Sequence, residues 1–295
     1  MREAPREQSR EPSSDPLDAG ALRAELGGDL WTSVTVVPST GSTNADLLAA
    51  GGPEGQVLVT EEQTAGRGRM GRSWVSQPGA ALTFSVLLRP DSIPVERRGW
   101  LTLLAGVAVA QSVRAVSDLP ATLKWPNDVL MNDGKLAGIL AEQAADGAVV
   151  IGIGINVSTT ANALPVGPGG LRGTSIAIER AREAGGGRPG APSEPSGGPV
   201  GGTVSRQRLL AEILRQLERH YVVFRDNPDP EATGLLGEYR ELCVTLGQQV
   251  RAEVPGGRVV TGEATGVDAV GRLLITPPGA GAPVPVSAGD VVHLR

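Results

Sequence analysis

Four short runs with strand character, Thr122–Trp125, Val129–Asn132, Lys135–Glu142 and Val149–Val157, follow one another with only turns between them. Strands so close in sequence leave no room for crossover helices and favour an α+β sheet over a regular βαβ repeat. Further strands are expected at Ser33–Val37, Val57–Thr60 and Ala81–Leu88. Leu17–Leu26 has apolar residues at 17, 21, 22 and 26, a helical spacing. Leu101–Val116 is rich in small residues and apolar nearly all round, which reads as a buried helix. Arg206–Phe224 and Pro230–Tyr239 read as amphipathic helices. After Cys243 the pattern changes to short strands between Gly-bearing turns: Val250–Val254, Arg258–Thr265, Arg272–Thr276, Val284–Val286 and Asp290–Leu294. A small β-barrel of about 50 residues is expected there.

This divides the 295 residues into a charged, disordered tail (1–16), a catalytic-sized α+β domain (17–240) and a C-terminal barrel (241–295). Within the larger domain, twelve of the eighteen residues 185–202 are Gly or Pro, so a flexible insertion is expected. Aromatic residues are only 3% of the chain, so the core must rest on Leu, Val, Ile and Ala. A net charge of −5 argues against a globally basic nucleic-acid binder. One cysteine and two histidines (His220, His293) exclude an internal disulfide and argue against a His/Cys zinc site. No apolar run approaches the roughly 20 residues that span a bilayer, and the N-terminus lacks a signal peptide's apolar stretch. No membrane association is expected, and the cytoplasm is the expected compartment.

The strongest chemical signal is Gly66-Arg67-Gly68-Arg69-Met70-Gly71-Arg72-Ser73-Trp74. Its glycines let the backbone approach a ligand, and its arginines offer forked donors to phosphate or carboxylate oxygens. Trp74 adds a flat face suited to a purine. A solvated basic turn explains the composition equally well. Gly66-x-Gly68-x-x-Gly71 also matches the dinucleotide fingerprint, but the residues after Gly71 read as loop, and Arg89-Pro90 stands where the acidic residue belongs. A nicotinamide-dependent enzyme is disfavoured on both counts.

A second signal joins Lys124-Trp125-Pro126-Asn127-Asp128 to Gly134-Lys135-Leu136-Ala137-Gly138-Ile139-Leu140. Pro126 ends a strand, and Asn127-Asp128 either holds a turn or faces a ligand. Lys135 opens an apolar run, so it either snorkels to the surface or meets an anion in a cleft. Ser42 or Thr43 can cap a helix through Leu47 and Leu48, with spare donors for a polar ligand. In Gly152-Ile153-Gly154-Ile155-Asn156, alternate glycines clear one face of a strand for a ligand or for a packed neighbour.

Taken in order, Ser42-Thr43-Asn44, Gln63 with the arginine loop, Lys124–Asp128, Gly134–Leu140 and Gly152–Asn156 resemble the biotin protein ligase family. The resemblance is dense over 33–157 and loose over the barrel. It implies an α+β catalytic domain with a mixed sheet, related to class II aminoacyl-tRNA synthetases and lipoate ligases, followed by an SH3-like barrel. The implied reaction makes biotinyl-AMP from biotin and ATP with Mg2+, then transfers biotin to a lysine on the biotin carboxyl carrier domain of acetyl-CoA carboxylase or a related acyl-CoA carboxylase. A lipoate or octanoate ligase of the same fold is the alternative.

By resemblance, Ser42, Thr43, Asn44, Gln63, Gly66, Arg67, Gly68, Arg69, Lys135 and Gly138 would hold biotin. Arg69, Arg72, Trp74, Lys124, Asn127, Asp128 and Asn156 would hold ATP or the adenylate. Arg69 and Lys135 would be catalytic, and no side-chain metal ligand is expected. The segment before Ser33 is too short and irregular for a winged helix-turn-helix, so DNA binding is not expected.

Overall fold

The structure, a computed structural model, describes residues 15–75, 77–185, 204–254, 256–287 and 289–294. The expected insertion at 185–202 therefore lies outside the described residues apart from Gly185, and the expected tail apart from Asp15 and Pro16. Asp15 accepts hydrogen bonds from Ser205 Oγ (3.1 Å) and the Arg206 amide (2.5 Å).

The larger unit runs α1 (Ala19–Leu26), β1 (Ser33–Val37), α2 (Thr43–Ala50), β2 (Gln56–Thr60), β3 (Ala81–Leu88), α3 (Trp100–Ser117), β4 (Ala121–Lys124), β5 (Asp128–Met131), β6 (Gly134–Gln143), β7 (Val149–Asn156), β8 (Arg172–Gly173), α4 (Ile176–Ala184), α5 (Arg206–Asp226) and α6 (Leu235–Leu242). The barrel-like unit adds β9 (Gln249–Glu253), β10 (Val259–Val267), β11 (Leu273–Thr276), β12 (Val284–Val286) and β13 (Asp290–His293).

Two elements, β8 and α4, have no counterpart in the sequence expectations. α4 is short, with four charged residues in nine, and its start rests on Ser175 accepting from the Ile178 amide. The helix expected at Pro230–Tyr239 begins instead at Leu235. Asp229 Oδ1 takes the amides of Glu231 and Ala232, which holds that stretch as a turn, and Gly234 at φ 79 precedes the helix.

The main sheet has the order β1-β2-β3-β7-β6-β5-β4, with β8 beside β6. β1–β2 and β6–β8 are parallel and the other pairings antiparallel, so the sheet is mixed, as the α+β expectation requires. Residues paired across antiparallel strands project to one face. One face carries the row Phe84, Ile153 and Ile139, all buried. α3 covers it, packed on β4, β5 and β6 and backed by α5 and α6. The helical run Val95–Ser117, which includes α3, is long and apolar enough to cross a membrane, but here the apolar side chains of α3 form the core of the domain. The other face carries the rows Ser85, Gly152, Leu140 and Thr83, Gly154, Gly138. Only its far end is covered, by α2, where Leu47, Leu58, Leu87 and Val150 pack together.

The second sheet, β12-β11-β10-β9-β13, is antiparallel throughout. It docks beside β4: the Val244 amide donates to Leu123 O (2.9 Å), the Trp125 amide to Thr245 Oγ1 (3.0 Å) and Trp125 Nε1 to Gly271 O (3.1 Å). Gly271, at φ 87, lies where an added Cβ would sit 3.4 Å from backbone atoms of Gly99 and Trp100.

Leu104 sits fully buried in α3. Leu104→Ala should cost about 2–5 kcal/mol, read as a lower urea midpoint with an unchanged slope.

Candidate functional site

The uncovered part of the polar face forms a cleft of about 540 Å3. Its floor is bare backbone. A Cβ on Gly152 would fall 2.2 Å from Asn44 Oδ1, and one on Gly154 2.4 Å from Trp74 Cε2. One on Gly138 would fall 3.2 Å from Trp74 Cζ3. The alternate glycines admit packed neighbours: Asn44 of α2 lies over Gly152, and the Trp74 indole lies over Gly154 and Gly138.

One end of the cleft is a polar wall. Ser42 caps α2 through the Ala45 amide (3.4 Å), which brings Thr43 and Asn44 over the floor. Gln63 Oε1 accepts from the Thr43 amide (2.9 Å) and from its Oγ1 (3.1 Å). Ser85 Oγ lies 2.6 Å from both Thr43 Oγ1 and Asn44 Oδ1. Asn44 Nδ2 donates to Leu140 O (3.1 Å) and Glu142 Oε2 (2.7 Å). Thr43, Asn44 and Ser85 are buried, so the network fixes their orientation. Ser85 and Glu142 are absent from the sequence expectations. The signal for Ser85 was a hydroxyl, two residues from Thr83, in a strand whose eight residues are all buried.

The arginine segment is a hairpin over the cleft. The Gly68 amide donates to Arg72 O (2.7 Å) and the Trp74 amide to Gly66 O (2.9 Å). Its tip, Arg69–Gly71, turns through positive φ at Met70 (55) and Gly71 (73). Only a single 3-10 turn forms there and no α-helix opens, which removes the dinucleotide fingerprint. Gly66 lets the hairpin close against the polar wall, because a Cβ there would sit 2.4 Å from Trp74 O and 2.8 Å from Gln63 Nε2. Arg67 approaches Glu142 at 3.6 Å. Arg72 reaches out of the domain and grips Asp290 of β13 with both Nη atoms, each 2.9 Å from a carboxylate oxygen.

The other end is charged. Lys124, Asp128 and Gly138 are register partners, so both charged side chains stand on the cleft face. Lys135 joins them through a β-bulge: Val129 pairs Ala137 and Leu130 pairs Lys135, so Leu136 is an extra residue that reverses the alternation. Lys135 Nζ meets Asp128 Oδ1 at 2.5 Å. Asn127 donates its side-chain amide to Ile139 O (3.0 Å) and accepts the Ile139 amide on its carbonyl (3.0 Å), holding the turn after the cis Trp125–Pro126 peptide. Asn156 is buried at the cleft wall, with Thr159 Oγ1 3.5 Å from its Oδ1.

Arg69 and Lys124 make no side-chain hydrogen bond or ion pair among the described residues, although both line the cleft. Burial pushes each below its ordinary pKa, opposed by Asp128 and Asp290. His293 of β13 is lowered too, by burial and then by Lys124. No group of three or more His, Cys, Asp or Glu able to hold a metal occurs among the described residues.

Residues 33–158 match the Biotin/lipoate A/B protein ligase family, and residues 245–294 the Biotin protein ligase C terminal domain. The chain is 41% identical to the biotin--[acetyl-CoA-carboxylase] ligase of Mycobacterium tuberculosis, over 95% of this chain and 97% of that protein. It is 33% identical to the bifunctional ligase/repressor BirA of Bacillus subtilis, over 86% of this chain and 71% of that one. Among solved structures it resembles a biotin protein ligase from Aquifex aeolicus in complex with biotin and ATP, with a TM-score of 0.69 and 26% identity over 90% of this chain and 99% of that chain.

Gly154→Ala should push the Trp74 indole off the floor while the sheet stays intact. The expected result is an altered near-ultraviolet circular dichroism spectrum with an unchanged far-ultraviolet one. Identical spectra in both regions would mean that the indole does not lie there.

Proposed function

Because this chain belongs to the biotin protein ligase family, we infer that it makes biotinyl-AMP from biotin and ATP and passes the biotinyl group to a lysine of a biotin carboxyl carrier protein. The observation that carries this reading is the pair of partly buried cations, Arg69 and Lys124, which have no partner among the described residues, at the far end of a cleft whose near end is a polar wall. Desolvated positive charge without a contacting counter-charge is costly and fits a site that a polyanion completes.

The oriented amides and hydroxyls of Ser42, Thr43, Asn44 and Gln63 suit a ureido ring, which both donates and accepts. A lipoyl or octanoyl chain would offer those groups no further hydrogen bond. The glycine floor and Trp74 suit the fused ring and the valeryl chain. At the charged end, Lys135, held by Asp128, and Arg69 at the hairpin tip would neutralise the carboxylate and the α-phosphate. Trp74 also offers a face toward the nucleotide, with Arg72 and Asn156 at the walls.

In the first step a biotin carboxylate oxygen attacks the α-phosphorus, the bond to the bridging oxygen breaks, and pyrophosphate leaves. The residues at hand contribute alignment and charge neutralisation, not a covalent nucleophile. In the second step the carrier's lysine amine attacks the carbonyl carbon, AMP leaves, and the amine loses a proton. Between the steps the hairpin shields the mixed anhydride from water. Asp128 is committed to Lys135 and Asp290 to Arg72, so these carboxylates do not fit a resident metal ion. Mg2+ is therefore read as the counter-ion of the triphosphate.

Purified protein mixed with biotin, ATP and Mg2+ should release pyrophosphate and label a carrier domain; release without biotin dependence would remove the reading. Lys135→Ala should slow pyrophosphate release by about 100-fold or more while the folded state persists. Lys124 gives a pH signature. Its ammonium titrates below the ordinary 10.5 in the free protein, and a bound triphosphate would pull it back up. ATP binding should therefore take up a fraction of a proton at alkaline pH, and affinity should fall as pH rises through the free-protein value. Calorimetry in buffers of different ionisation enthalpy measures this, and Lys124→Met should abolish it.

A further inference from the structure

We propose that Asp290, on the C-terminal β-sheet, is a positioning residue for the adenylation step: its carboxylate holds Arg72 in place at the phosphate end of the cleft. This rests on the ligase reading above.

The grip is specific in geometry. Both Nη atoms of Arg72 meet one carboxylate, at 2.9 Å each, in a partly buried pair. A forked pair of this kind fixes the guanidinium plane, which a single contact does not. It occupies two of the five N–H donors and leaves three to face a ligand. Arg72 and Asp290 both line the cleft, together with the neighbours Gly289 and Val291. The main domain holds the base of the hairpin by packing Trp74 on Gly138 and Gly154, but among the described residues it pairs no carboxylate with Arg72. Asp128, the other acid at this end, is taken by Lys135.

Charge supports the same assignment. Four cations, Arg69, Arg72, Lys124 and Lys135, converge with two carboxylates. Each carboxylate pins one cation, leaving Arg69 and Lys124 for incoming negative charge. Asp290 also faces these two, and its field opposes the effect of burial on both. β13 is anchored independently: it pairs with β9 along its length, and His293 Nε2 lies 3.2 Å from Thr245 Oγ1, whose oxygen accepts the Trp125 amide. The Asp290 carboxylate therefore sits on a rigid support.

The test compares Asp290→Ala, Asp290→Glu, Arg72→Ala and the double variant by biotin-dependent ATP–pyrophosphate exchange, with biotin affinity measured separately by calorimetry. Asp290→Ala is expected to raise KM for ATP by roughly 10-fold, the effect of losing a charge-assisted hydrogen-bonded pair, with biotin affinity within about 2-fold of wild type. Asp290→Glu should recover most of that loss. The double variant should be no worse than Arg72→Ala, because the two residues act as a unit. Losses that multiply, or an unchanged KM for ATP in Asp290→Ala, would overturn the proposal. Equal weakening of biotin and ATP binding would also overturn it, since that marks a general effect on folding. If wild-type protein showed no exchange at all, the ligase reading itself would fail.

Discussion

A single sheet with two unlike faces sets the terms for everything else in this molecule. On one side Phe84, Ile139 and Ile153 present branched and aromatic side chains that α3 buries; on the other, the paired positions are Ser85, Thr83, Leu140 and three glycines. Because side chains alternate strictly along a strand, the same residues that build the core fix, one position away, what the cleft floor can be. The floor is bare so that α2 can lay Asn44 on Gly152 and the hairpin can lay Trp74 on Gly154. Stability and recognition are thus written on alternate residues of the same three strands.

Upon that floor, charge is distributed by commitment. Lys135 has Asp128 and Arg72 has Asp290, whereas Arg69 and Lys124 have no such partner among the described residues. Paired cations hold position and the others carry unspent attraction. A site with every cation neutralised would bind a triphosphate weakly, and one with none neutralised would repel itself. The mixture suits a ligand that must enter, react and leave.

Much of this was legible in the residues. β1, β3 and β12 coincide with the expected ranges, because β-branched and apolar runs bounded by Gly, Pro or Ser leave little freedom. Site residues whose roles are local, such as the Ser42 cap and the bare glycines at 152 and 154, could be read from spacing. The misses have physical reasons. α4 is only nine residues long and three of its five apolar positions are alanine, so its period is faint, and Pro230–Gly234 satisfies its backbone through Asp229. Ser85, Glu142 and Asp290 act on partners far along the chain, Asp290 across 218 positions, and no spacing rule reaches that distance.

The bulge between β5 and β6 carries a consequence for how this hairpin can vary. Turns on a protein surface usually accept a change of length, since the chain simply loops further into water. Here Lys135 and Gly138 share the cleft face only because the pairing skips Leu136. Were the same residues paired in regular alternation, the ammonium would swing from the cleft into the hydrocarbon layer beneath α3. A stretch that looks like a pliable connection is, in its pairing, as constrained as the helix it lies against.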